Sequence, residues 1–427
     1  MKRTVFTILL IASAAAAWAQ NSVTLWQCYD SAAIVTPLSG ERDIYSRISQ
    51  LRDQNLASAW LPSLDLNGTF SYQSDVVDLS DMLGSLPIST GSLPTVPHEQ
   101  YRATFDVSQV LWDGGVTRSA REVEKVVNEL NLRQNEADIY RLREQVNNYF
   151  FPLLLTKSQI EVTQLLLSEL DTRIGELSSA IENGVVTPMT LDVLRAEMIR
   201  VEQTLNELVR RHEAFTAALE QITGIQGLKD AILLLPETII TGEESIDNPD
   251  LRLFDIRSHQ LELSKNLLKS QRMPRAFGYA QAGYGNPPGN NFLSDKADFY
   301  YSLGAGIKWN IFDWNKNSNE RRSLAMQQQL LDIKKMSVEE SLQRLLTVRM
   351  AEITSLLEAS GRDEELIGIR KKITAAAASQ LKNGTITASQ YLTELNNEKQ
   401  AVIAAAARMI SISRAEIDYL YITGYNK

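Results

Sequence analysis

The sequence predicts a mainly helical chain with membrane-type β-strands, built from two structural repeats. Three observations point there: self-similarity at a fixed spacing, runs of alternating apolar and polar residues, and helical stretches far longer than a globular domain uses. Residues 101–224 read again at 301–424, an offset of 200. Tyr101 meets Tyr301, Asp113 meets Asp313, Asn183-Gly184 meets Asn383-Gly384, Thr187 meets Thr387, and Ile222-Thr223-Gly224 meets Ile422-Thr423-Gly424. Upstream the offset is 212, with Pro37, Pro62 and Tyr72 meeting Pro249, Pro274 and Tyr284. The 12-residue difference falls between Tyr72 and Tyr101, in a stretch rich in Gly, Pro and Ser that reads as a loop. Each repeat then runs helix, strand, loop, strand, long helix, tight turn, helix. The first repeat is expected over 20–224, an inter-repeat linker over 225–247, and the second repeat over 248–427.

The N-terminus sets the compartment. Lys2 and Arg3 precede an apolar run from Val5 to Ala17, and Ala17-Trp18-Ala19 precedes Gln20 as an A-x-A cleavage site, so residues 1–19 read as a secretory signal peptide. Removing its two positive charges takes the formal balance from -9 to -11, which argues against nucleic acid as a partner. The single cysteine, Cys28, cannot form an intramolecular disulfide and reads as a buried small hydrophobe. No later segment offers about 18 consecutive apolar residues, so no helix spans a bilayer. An exported chain of this kind is periplasmic, secreted, or in the outer membrane as strands.

The strands favour the outer membrane. From Tyr101 to Leu111 the odd positions, Tyr101, Ala103, Phe105, Val107, Gln109 and Leu111, are mostly apolar and alternate with Arg102, Thr104, Asp106 and Ser108. From Tyr301 to Ile311, Tyr301, Leu303, Ala305, Ile307, Trp309 and Ile311 alternate with Ser302, Gly304, Gly306, Lys308 and Asn310. Each run is 11 residues, against the roughly 9–11 that a tilted strand needs to cross the hydrocarbon layer. Tyr and Trp stand near the ends, as in the aromatic girdles of membrane barrels. Leu64 to Tyr72 alternates in the same way, and its partner from Ala276 to Tyr284 carries mostly Gly and Ala on the matching face. Four strands cannot close a barrel, and open edges in lipid would leave backbone groups unpaired. Since the smallest membrane barrels have about eight strands, this chain must pool strands with copies of itself.

The helices follow. Val116 to Glu182 and Lys316 to Lys382 each run 67 residues rich in Leu, Glu, Arg and Gln, or roughly 100 Å if unbroken. Apolar residues recur at three- and four-residue spacing, as in Ile139, Leu142, Val146, Phe150 and Leu153, a coiled-coil-like stripe. Pro152 should kink the first of these helices, whereas the second has no proline. Both end alike. Asn183-Gly184 stops the first and Thr187 caps a return helix with Pro188 at its first position; Asn383-Gly384 stops the second and Thr387-Ala388-Ser389-Gln390 fits a capping box. Two long antiparallel helical hairpins result.

With these residues in place, the chain resembles the TolC-like outer-membrane efflux proteins. The resemblance runs from Leu25-Trp26-Gln27 through Leu61-Pro62-Ser63-Leu64-Asp65-Leu66 to Ser108-Gln109-Val110-Leu111-Trp112-Asp113-Gly114-Gly115, where strand gives way to long helix. It continues through the Asn183-Gly184 hairpin to Ile222-Thr223-Gly224, and repeats from Asn248-Pro249-Asp250-Leu251. The resemblance implies a homotrimer whose twelve strands form one β-barrel through the outer membrane of a Gram-negative bacterium, continuous with an α-barrel tunnel of helical hairpins in the periplasm. It implies a passive conduit, supplied by an inner-membrane pump of the RND or ABC class through a periplasmic membrane-fusion adaptor protein. Drug efflux, metal efflux and type I secretion are not distinguished.

In that frame Asn183, Gly184, Thr187, Asn383, Gly384 and Thr387 form the periplasmic tip and the adaptor-docking region, and Arg102, Asp106 and Lys308 line the barrel lumen. The loops at 73–100 and 285–299 are extracellular. Family members commonly carry an aspartate six residues after the hairpin glycine, where acids can ring the tunnel entrance. Here those positions are Thr190 and Gln390, and nearby Asp192 and Glu394 are the acidic candidates. Thr36-Pro37 likewise stands where Asn-Pro is usual.

No catalytic, cofactor or metal site is expected. His98, His212 and His259 fall apart in sequence without His-x-x-x-His spacing and read as surface residues, and no cysteine cluster exists. Gly304-Ala305-Gly306 matches half a dinucleotide fingerprint but lies in an alternating strand. A periplasmic coiled-coil adaptor or scaffold is the alternative reading; it predicts the hairpins but not the aromatic-flanked strands. A single-chain porin predicts strands without long helices.

Overall fold

The computed structural model describes residues 22–77, 96–182, 187–238, 240, 245–291, 294 and 296–425. The signal-peptide reading, Asn183, Gly184 and residues 78–95 of the first inter-strand loop lie outside the described residues. In chain order the elements are β1 (Ser22–Val23), α1 (Leu25–Val35), α2 (Glu41–Ala57), β2 (Ser63–Tyr72), β3 (Glu99–Trp112), α3 (Val116–Glu182), α4 (Pro188–Thr223), β4 (Ile232–Leu233), α5 (Pro249–Gln271), β5 (Arg275–Asn286), β6 (Asp298–Lys308), α6 (Lys316–Ser360), α7 (Asp363–Lys382) and α8 (Ala388–Thr423). The chain is mostly helical, with strands where alternation predicts them, and no described helix is long and apolar enough to cross a membrane.

The chain divides into two compact units that cut across the sequence repeats. The first takes the described residues of Met1–Arg42, Arg133–Leu253 and Lys334–Lys427; the second takes Asp43–Leu132 and Phe254–Ile333.

In the first unit, β1 and β4 form a two-stranded parallel sheet, Ser22 opposite Ile232 and Val23 opposite Leu233. It closes over a core of Leu25, Cys28 and Tyr29 from α1, Val146, Phe150 and Leu153 from α3, and Leu219 from α4. Cys28 is fully buried and unpaired, and burial pushes its thiol up to about 12, so it packs as a small hydrophobe. Thr24 starts α1 with a capping box to Gln27. The two-residue strands carry no periodicity and escape a reading of the sequence. Within the inter-repeat segment, Thr238 donates to Glu416, and the Pro236 carbonyl accepts from Ser413.

The long helices depart from expectation. α3 is one run of 67 residues with Pro152 inside it. The second copy, expected unbroken, is interrupted at Gly361-Arg362 between α6 and α7. Glycine costs about 1 kcal/mol in a helix interior. Arg362 N–H bonds the carbonyl of Ala359 rather than that of Glu358, and Asp363, Glu364 and Glu365 then favour a fresh helix N-terminus.

In the second unit, β2, β3, β5 and β6 form an antiparallel sheet in that order. The central β3–β5 pair joins the repeats directly. β6 corrects the expected span of 301–311: it begins at Asp298 and ends at Lys308, opposite Arg275. Behind Arg275 stand Pro274, which has no N–H, and the turn that closes α5, so Trp309 to Ile311 have no strand to pair with. Trp309 instead donates its indole N–H to the Arg272 carbonyl at 3.1 Å.

Each hairpin ends in a long helix through the same device. Asp113 accepts from the backbone N–H of Gly115 at 2.8 Å and of Thr117 at 2.6 Å, occupying free donors at the start of α3. Asp313 repeats this on Asn317 at 3.1 Å. Flanking helices tie to these starts. Arg121 forks onto Asp53 of α2 with two bonds of 2.6 Å, and Asn317 donates to the Leu268 carbonyl of α5 at 2.6 Å.

Candidate functional site: a two-faced sheet and a hairpin tip

The sheet has two chemically distinct faces because side chains alternate across a strand and the register keeps like with like. Leu66, Phe105, Ala282 and Tyr301 stand in one cross-strand row on the apolar face. Its side chains are open to the surroundings: Leu66 is 81% exposed, Phe70 71%, Tyr301 81%, Leu303 75% and Ile307 77%. An exposed, mostly apolar face of this kind is unstable in water and matches a lipid environment. The strands measure 10, 14, 12 and 11 residues, long enough to cross the hydrocarbon layer when tilted.

The opposite face is polar on β2 and β3. Asp106 is its hub: its carboxylate accepts from Asn67 at 2.6 Å, Gln281 at 2.6 Å and the Thr104 hydroxyl at 2.9 Å. Arg102 donates to the Thr69 hydroxyl at 3.1 Å, and the Ser63 and Ser108 hydroxyls meet at 2.7 Å. Lys308 lies on this face opposite Arg275. The three residues expected to line a lumen therefore share one face. On β5 and β6 that face is aromatic and glycine-rich: a Cβ on Gly304 would collide with the Tyr279 ring, one on Gly306 would stand 2.6 Å from Phe277, and one on Gly283 2.8 Å from Tyr300.

The hairpin tip lies in the first unit. α7 ends in a Schellman motif: Gly384 takes φ +69°, its N–H bonds the Leu381 carbonyl, and the Thr385 N–H bonds that of Gln380. Thr387 and Gln390 form the expected capping box, which uses Gln390 as a structural cap. Thr187 is the N-cap of α4 with Pro188 following, yet its side chain makes no cap bond to the backbone; its hydroxyl meets that of Thr190 at 3.2 Å. Thr187, Thr190, Gly384, Thr387 and Gln390 line one cleft of about 460 Å³ that also contains Met189 and Ile386.

The acidic candidates do not converge as free carboxylates. Asp192 faces Arg195 at 3.8 Å and is well exposed, while Glu394 pairs with Arg370 of α7 at 3.3 Å. The electrostatics that join the repeats lie deeper. Lys399 bridges Glu169 at 3.0 Å and Glu398 at 3.3 Å, and fully buried Tyr391 donates to Glu169 while accepting from Arg173, both at 3.4 Å. Burial pushes the Tyr391 phenol up to about 12, with Arg173 opposing. These sit on a core of Leu170, Leu177, Leu194, Leu381 and Leu395. Tyr391 and Lys399 were not singled out from sequence, where each reads as an ordinary helix residue.

The histidines stay apart. His98 contacts the Gln73 carbonyl at 2.8 Å and His259 is exposed, but His212, expected at the surface, is half-buried with its ring 3.2 Å from the Thr156 hydroxyl. Among the described residues no group of three or more His, Cys, Asp or Glu is placed to hold a metal ion.

Comparison with known proteins follows the same lines. Residues 53–227 match the family model described as outer membrane efflux protein. No curated protein sequence matches the chain. Among solved structures, the CmeC outer membrane channel of Campylobacter jejuni aligns with TM-score 0.67 at 15% identity, over 94% of this chain and 85% of that one. The outer membrane protein VceC of Vibrio cholerae aligns with TM-score 0.66 at 15% identity, over 94% and 96%. The open state of the MtrE outer membrane channel of Neisseria gonorrhoeae aligns with TM-score 0.66 at 16% identity, over 94% and 88%. Residues 53–227 are thus similar to the outer membrane efflux proteins, and over nearly its whole length the chain has the fold of the solved outer-membrane channels.

Proposed function

We propose that this chain is the outer-membrane channel component of a tripartite efflux or type I secretion system. One observation carries the reading: a four-stranded sheet with an exposed apolar face whose outer strands, β2 and β6, each have one neighbour among the described residues. In lipid those two edges must be paired. Three copies joined β6 to β2 give a closed barrel of twelve strands, with the Arg102, Asp106 and Lys308 face inside. Unpartnered apolar stripes support assembly with further copies: Ile44, Ile48 and Leu51 on α2, and Met326, Leu330 and Ile333 on α6, are all exposed at helical spacing.

The helical hairpins form the periplasmic conduit, and the tip around Thr187, Gly384 and Thr387 receives the periplasmic adaptor, which links the channel to an inner-membrane pump. The chain supplies the path and the pump supplies the energy. Heat-modifiable gel migration of the membrane-extracted protein tests this reading. A band that shifts from trimer to monomer on boiling, and is absent when residues 298–308 are deleted, supports it. A monomer band indifferent to heating and to that deletion contradicts it.

A further inference from the structure

The polar face of the sheet contains one feature that barrel formation does not require. Arg275 and Lys308 are direct cross-strand partners at the ends of β5 and β6, and no described carboxylate pairs with either. Two cations directly opposite each other destabilise a sheet unless an anion lies between them. On the same face the next residues inward are Phe277 opposite Gly306 and Tyr279 opposite Gly304. Both rings occupy space that a Cβ on the facing glycine would need, so β6 backbone backs them and fixes where they lie. Their centroids are 6.4 Å apart, and Tyr279 remains 46% exposed.

Aromatic cover over strand glycines is a known way to shield backbone, and it accounts for the rings alone. It gives no reason for two cations that have no described carboxylate partner within the protomer. Guanidinium and ammonium groups supply charge-assisted donors to a carboxylate, and the neighbouring rings supply a surface on which a planar apolar body stacks. The other cation of this face, Arg102, donates to Thr69, and Asp106 already accepts from three donors.

We propose that Arg275 and Lys308, together with the Phe277 and Tyr279 rings, form a binding site for planar aromatic carboxylates on the inner face of the barrel. The proposal rests on the channel reading, since it takes this face as lumenal. Each protomer contributes one site, so an assembled barrel holds a ring of them through which cargo of this class passes.

The test is single-channel recording of the purified full-length protein in a planar bilayer, with three blockers compared: 2-naphthoate, cyclohexanecarboxylate and 2-naphthylmethylammonium. The site predicts half-block by 2-naphthoate at concentrations about tenfold below those of the other two, corresponding to about 1.4 kcal/mol from stacking and charge. The double substitution R275Q/K308Q should remove the preference over the ammonium, and Y279L the preference over cyclohexanecarboxylate. Equal block by the three compounds in a conducting wild-type channel overturns the site while leaving the channel function intact, and needs no variant to be interpreted. A protein that inserts but never conducts overturns the channel reading, and the site with it.

Discussion

Lys399 on the second repeat's return helix lies 3.0 Å from Glu169 on the first repeat's long helix. This bond clamps the two hairpins together above their shared leucine core. Burial disfavours the Lys399 ammonium, but Glu169 and Glu398 outweigh it and hold the pKa above its ordinary value. Removing the lysine leaves Glu169 and Glu398 partly buried without their cation, which is costlier than removing the pair. K399A should lose about 1–3 kcal/mol of stability, whereas K399A/E169Q should recover part of it. Guanidinium denaturation of the four members of the double-mutant cycle measures the coupling.

His212 gives the first unit a defined pH response. Burial and Lys157 depress its pKa below the ordinary 6.5. A histidine with a depressed folded-state pKa contributes stability that is fully present above 6.5 and is lost as pH falls from there through the folded-state value. Melting temperatures recorded from pH 8 to pH 5 should therefore fall less steeply for H212Q than for the wild type. Parallel curves would remove His212 from the account.

The tip depends on local backbone chemistry. Thr387→Ala removes one half of the capping box and should cost about 1 kcal/mol. G384A forces an L-residue to φ +69° and should cost about 1–2 kcal/mol. Amide exchange at Gln390 and Tyr391 should quicken in both variants while exchange within the leucine core stays slow.

The apolar face of the sheet should tolerate no charge. Leu303 lies mid-strand on β6 and is 75% exposed. L303K should cost about 2–4 kcal/mol in the membrane-inserted state and reduce the amount recovered from outer membranes. S302K, on the opposite face of the same strand, should insert normally.

What could be read from the sequence was whatever the local chain dictates. The Thr387–Gln390 box, the Asn383-Gly384 stop and the strand alternation follow from near neighbours, and each stands in the structure. The end of β6 did not follow, because Trp309 and Ile311 continue the pattern while the pairing stops at Arg275, the first residue of β5 after Pro274. The interruption at Gly361 was hidden inside a long helical pattern, where one glycine is often absorbed. At the tip, charge alone marked Asp192 and Glu394; Arg195 stands three residues from Asp192 on the same helix, whereas the Arg370 that pairs with Glu394 is brought there by packing of α7 on α8. Tyr391 and Lys399 join the repeats through Glu169, more than two hundred positions away.

The central claim is that the sheet is a third of a barrel. The most direct measurement is the mass of the membrane-extracted protein in mild detergent, by light scattering corrected for bound detergent. The account predicts a particle of three protomers recovered only from the outer-membrane fraction. A monomer or dimer soluble without detergent would contradict it.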